Sequence, residues 1–141
     1  NIRLSQFLLT LHLETGDILT EEEYINHCGK ASVLLDPLYF GAGNSFHESM
    51  FYGTPTVTLP TRNLKSKIVT GAYKQMQIND PPISVDTDDY VKRAIELANL
   101  DSKKMLDLKY FYKKKANELL YENEHFIEEM NTLFIDLFNK K

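Results

Sequence analysis

An apolar run, Val33-Leu34-Leu35, ends in Asp36-Pro37. A loop bearing Gly41, Ala42, Gly43 and Asn44 then leads directly into a short helical stretch. That stretch stops at Gly53, and a β-branched run, Thr56-Val57-Thr58-Leu59, begins at once. Strand, small-residue loop, helix and strand in this order are how α/β proteins hold phosphorylated ligands. Unpaired N–H groups at the helix start and the positive end of its dipole both point at the loop.

The flanking sequence extends the pattern. Residues 2–13, rich in Leu, Ile and Phe, read as a strand closed by the turn Glu14-Thr15-Gly16-Asp17. Thr20 with Glu23 three residues on is a capping box, starting a helix to about Cys28. Strands are expected at 32–36 and 56–59, with a helix at 45–52 between them. A helix over 63–76, a short strand Ile83-Ser84-Val85 and a helix capped by Thr87 follow. Two more helical stretches, 102–121 and 124–139, close the chain. In the last, Phe126, Ile127, Met130, Leu133, Phe134 and Leu137 recur at three- and four-residue steps, giving one apolar face. Alternating strands and helices predict an α/β fold, a parallel sheet covered by helices with a helical C-terminal tail.

Composition narrows the class. At 141 residues the chain suits one domain with an adequate core, and 43% hydrophobic with 26% charged residues is ordinary for a globular protein. A net charge of −4 argues against nucleic-acid binding by phosphate neutralisation. The single cysteine, Cys28, excludes an internal disulfide, so a reducing, cytoplasmic compartment is expected. No apolar stretch is long enough for a membrane span, and no signal peptide is visible. The first residue is Asn1 rather than Met, so a fragment of a longer polypeptide is expected.

Within the loop, Gly41 and Gly43 allow close backbone approach to a ligand, while Asn44 and Ser45 supply an amide and a hydroxyl where a diphosphate would rest. The alternative is a plain strand-to-helix connection in which Asn44 or Ser45 merely caps. Glu48 has two readings as well. Ser45-Phe46-His47-Glu48 matches a capping box, so Glu48 could bond back to the Ser45 backbone. Otherwise its carboxylate accepts hydrogen bonds from the two hydroxyls of a ribose.

Over Ala31–Met76, and more loosely to the C-terminus, the chain resembles the C-terminal catalytic half of the O-linked N-acetylglucosamine transferase family. These are GT-B glycosyltransferases, often fused to tetratricopeptide repeats. The resemblance is carried by Val33–Asp36, the Gly43-Asn44-Ser45 loop, Glu48, Gly53-Thr54-Pro55, the strand Thr56–Pro60, and Leu64 with Lys67. Ile83 to Leu100, with Asp88-Asp89-Tyr90 opening a helix, continues it. It implies a Rossmann-like nucleotide-sugar domain over 1–100, with C-terminal helices of 101–141 packing on it as one unit. The donor it implies is UDP-N-acetylglucosamine, with no metal and no other cofactor. The partners it implies are an N-terminal Rossmann-like half and tetratricopeptide repeats in the same polypeptide. Gly43, Asn44 and Ser45 fall where the family contacts the diphosphate, and Glu48 where an acidic residue binds ribose. Tyr24 lies where a ring stacks near the uracil, Leu19 in a base-contacting segment, and Lys67 and His27 where basic residues occur. Well-known members carry His-Thr-Thr in place of Gly43-Asn44-Ser45, and no catalytic base can be named from this chain.

Other signals have structural explanations. Asp86-Thr87-Asp88 has the spacing of a metal-binding D-x-D, yet it precedes a helix whose first turn favours acidic residues, with Thr87 as cap. His47-Glu48 lacks the second histidine of a zinc helix. His47 itself reads as an exposed helix histidine, and Cys28 as a small buried hydrophobe. Lys103, Lys104, Lys109, Lys113, Lys114 and Lys115, interleaved with Tyr110, Phe111 and Tyr112, read as a solvated helix face. A second function stays open: a non-catalytic α/β module that docks a partner through the apolar face of 126–137.

Overall fold

A computed structural model describes residues 19–121 and 123–140. The expected strand at 2–13 and the turn after it lie outside the described residues. The first helix, α1 (Glu21–Lys30), starts as the sequence predicts. The Glu23 amide donates to Thr20 Oγ1 at 3.3 Å, and the Thr20 amide donates to Glu23 Oε2 at 2.9 Å. Two donors that a helix start leaves orphaned are thereby satisfied.

Two short strands, β1 (Leu34–Leu35) and β2 (Thr56–Val57), pair in parallel, with Leu34 opposite Thr56 and Leu35 opposite Val57. A third parallel row is a single bridge, Thr58 to Ile83. Here the structure differs from the expected strand 83–85: in this register Val85 would pair with Pro60, which has no N–H to donate. On the other side of the bridge, toward Thr56, the edge of β2 is occupied by Tyr73. Its hydroxyl accepts from the Thr56 amide at 2.8 Å and donates to the Thr56 carbonyl at 2.9 Å. One phenol thus takes the two Thr56 backbone groups on the edge away from β1, so the third row does not extend back toward Pro81 either.

Helix α2 (Asn44–Phe51) joins β1 to β2. The expected helix over 63–76 is broken at Lys67 into a 3₁₀ turn (Leu64–Ser66) and α3 (Ile68–Gln75). Next come α4 (Thr87–Ala98), α5 (Ser102–Leu119) and α6 (Glu124–Asn139). The cap of α4 is Asp86, not Thr87: the Asp86 carboxylate accepts from the Asp89 amide at 2.8 Å, and Thr87 is the first helical residue.

Alternation along β1 sends its side chains to two cores. Leu34 packs with Cys28, Phe46, Met50, Val69, Tyr73, Met76, Tyr112 and Ala116, which come from α1, α2, α3 and α5. Val33 and Val57 pack with Ala94 of α4. Burial on both faces is the condition under which parallel strands persist. The fold is therefore mixed α/β, mostly helical, around a small parallel sheet.

Helix α5 belongs to this core, and Lys109 corrects the expectation of a solvated lysine face. Its Nζ donates to the carbonyls of Gly29 and Ala31 at 2.7 and 2.6 Å, at the negative end of α1. Burial holds its ammonium below the ordinary lysine value. The backbone beside it presses on Gly53, whose φ is +75° and where a Cβ would collide with the Lys109 carbonyl oxygen. Glycine is required there by both conformation and space. Helix α6 departs from the expected packing: none of its residues is buried.

Candidate functional site

The loop after β1 is organised by Asp36, which is almost fully buried. Its two oxygens accept from the Ala42 amide at 2.5 Å and from the Thr58 hydroxyl at 2.5 Å, tying the ends of both strands to the loop. Burial pushes the Asp36 carboxyl above the ordinary carboxylate range, outweighing the two hydrogen bonds that lower it. The Gly41 amide donates to the Lys65 carbonyl at 3.1 Å. A Cβ at Gly41 would sit 2.6 Å from that same oxygen. The close approach expected between Gly41 and a ligand is thus an approach to the 3₁₀ turn, and the amides of Gly41 and Ala42 are used internally.

From Gly43 onward the loop is open. Gly43 is the residue before α2, and a Cβ there would meet nothing within 4 Å. Among the described residues, the amides of Gly43, Asn44 and Ser45 have no hydrogen-bond partner. No side chain caps this helix. Asn44 is exposed and Ser45 half-buried.

The capping box read at Ser45 and Glu48 is not formed, because the helix begins at Asn44 and Ser45 lies inside it. Glu48 instead accepts a hydrogen bond from the Tyr24 hydroxyl, 2.7 Å from its Oε2. Packing of α1 on α2 brings this pair together. Beside Glu48 lies a cavity of about 360 Å³ lined by Ile25, His47, Glu48, Phe51, Tyr52 and Tyr121. His47 Nδ1 is 3.0 Å from the Gly43 carbonyl. A carbonyl only accepts, so Nδ1 carries a proton in this contact. The Tyr121 hydroxyl donates to the His47 carbonyl at 2.6 Å, and burial pushes that phenol up to about 12.

The other expected residues are more scattered. Lys67 is exposed between the 3₁₀ turn and α3. It directly follows Ser66, whose Cα would lie 3.4 Å from a Cβ on Gly41. Leu19 is half-buried ahead of α1 and does not line the cavity. His27 is half-buried in the last turn of α1, where its carbonyl accepts from the Ala31 amide. Sequence reasoning missed Tyr121 altogether, since nothing local marks a residue 74 positions away as a neighbour of His47. Phe51 does carry a local signal: it is one turn beyond His47, so it shares that face of α2.

Among the described residues no group of three or more His, Cys, Asp or Glu side chains could hold a metal ion. No described helix is long and apolar enough to cross a membrane. Taken together, the parts define an α/β unit with free helix-start amides and a carboxylate one turn further on. No family model and no curated protein matches the chain.

Proposed function

We propose that the chain is the nucleotide-sugar-binding half of a GT-B glycosyltransferase, with UDP-N-acetylglucosamine as donor and a second Rossmann-like half completing the cleft. The reading is carried by one observation. The Gly43, Asn44 and Ser45 amides lack protein partners at the start of α2, and Glu48, one turn along, is released from capping beside a cavity. The loop leaves the carboxyl end of a parallel strand, where ligands of open α/β sheets bind.

In this reading the amides and the dipole of α2 stabilise charge on the departing diphosphate as the sugar passes to an acceptor hydroxyl. The Asn44 and Ser45 side chains add hydrogen bonds to the phosphates, Lys67 adds positive charge, and Glu48 accepts from the ribose hydroxyls. The chain by itself binds nucleotide and does not turn over. Titration of UDP into the isotope-labelled chain tests this: amide shifts clustered at 43–48 are expected. An intact spectrum unmoved at millimolar UDP would overturn it.

A second reading has its own support. Phe126, Ile127, Leu133, Phe134, Leu137 and Phe138 of α6 are 49–78% exposed, a face suited to a partner protein. In that case the chain is a docking module, and nucleotide leaves residues 43–48 unmoved.

A further inference from the structure

A carboxylate that grips both hydroxyls of a pentose must keep its oxygens in one orientation, whereas a solvated glutamate samples several rotamers. Glu48 is restrained. The Tyr24 hydroxyl donates to its Oε2 at 2.7 Å, while Oε1 has no protein partner among the described residues. Tyr24 is itself held: it is half-buried in the packing of α1 on α2, and its phenol also lies against the Cys28 thiol. Cys28 is fully buried, so the phenol is backed by fixed core rather than by a mobile side chain. Burial raises the phenol well above its ordinary value, which keeps it a proton donor at every working pH. Glu48 is one of the residues that line the 360 Å³ cavity, with its carbon stem facing the space and its carboxylate beside it.

We infer that Tyr24 is a positioning residue that makes the site selective for ligands carrying a cis-diol, by fixing the orientation of the Glu48 carboxylate beside the cavity. Its hydroxyl, rather than only the face of its ring, does this. The inference rests on the reading of Glu48 as the pentose ligand, and the two are separable by experiment.

Calorimetric titration of the whole chain with UDP and with 2′,3′-dideoxy-UDP provides the test. The wild-type chain is expected to prefer UDP. Tyr24→Phe is expected to weaken UDP binding about 5- to 20-fold, the loss of one hydrogen bond to a charged group, and to leave dideoxy-UDP binding unchanged. Dideoxy-UDP thus serves as an internal control for folding. An unchanged ratio in Tyr24→Phe, or an equal loss for both nucleotides, would overturn the positioning role while leaving Glu48 as the ribose ligand. Glu48→Ala is expected to abolish the preference. If Glu48→Ala keeps it, or the wild-type chain binds neither nucleotide, the nucleotide reading falls and the inference with it.

Discussion

Asp36 illustrates how one side chain can set a loop. Its carboxylate serves the Ala42 amide and the Thr58 hydroxyl, both on buried residues, and its carbonyl accepts from Tyr90 at 2.9 Å. Asp36→Ala would strand a buried amide and a buried hydroxyl, and is expected to destabilise the fold by about 2–4 kcal/mol. Asp36→Asn keeps both contacts, with the new amide donating to Thr58. The folded-state pKa of Asp36 is raised, so the folded chain binds more protons than the unfolded chain around that pKa. The contribution of Asp36 is therefore full in acid and is lost as pH rises through the folded value. Urea unfolding across the mildly acidic range should show this decline in the wild-type chain and its absence in Asp36→Asn. Glu48 contrasts with Asp36: free of any cap, it can change at little expense to folding, which suits a group kept for a ligand.

Among the elements, much was legible and the exceptions have identifiable causes. The Thr20–Glu23 box, the parallel pairing and the bounds of α6 follow from local residues, and local rules suffice for them. Ser45 failed as a cap because Asp36 and Lys65 tie Ala42 and Gly41 down. Helical geometry then begins at Asn44. The strand at 83–85 shrank to a bridge because its onward partner is Pro60, which has no N–H, and on the other side Tyr73 occupies Thr56. Among the site residues, Gly43, Asn44, Ser45 and Glu48 were legible as a loop and one turn of helix, whereas the Tyr24–Glu48 bond needed two helices to pack. Lys109 was illegible for the same reason, since a lysine among lysines reveals no buried acceptor. Lys109→Met retains the apolar stem but removes the cation from two helix-end carbonyls. It is expected to lower stability by about 2 kcal/mol in urea unfolding, with the folded helix content unchanged.

Across the whole molecule, the two cores lie on opposite faces of one sheet and engage α1 through α5. Helix α6 stands apart, with its large apolar residues exposed. Removing residues 124–141 should leave the thermal midpoint within a few degrees of the full chain, because no described residue there is buried. UDP-induced shifts at 43–48 should persist in that truncated chain. A midpoint lowered by tens of degrees would mean that α6 supports the fold directly. The same truncation separates the two functional readings, because a partner recruited by α6 would be lost while nucleotide binding stays.

Lys109 fastens segments that ribosomes make far apart in time. Its side chain seals the end of α1, and its backbone fills the space left by Gly53. During synthesis the loop after β1 is therefore made long before the residue that secures its surroundings. The nascent chain must wait, with its sheet incompletely braced, until α5 has cleared the exit tunnel.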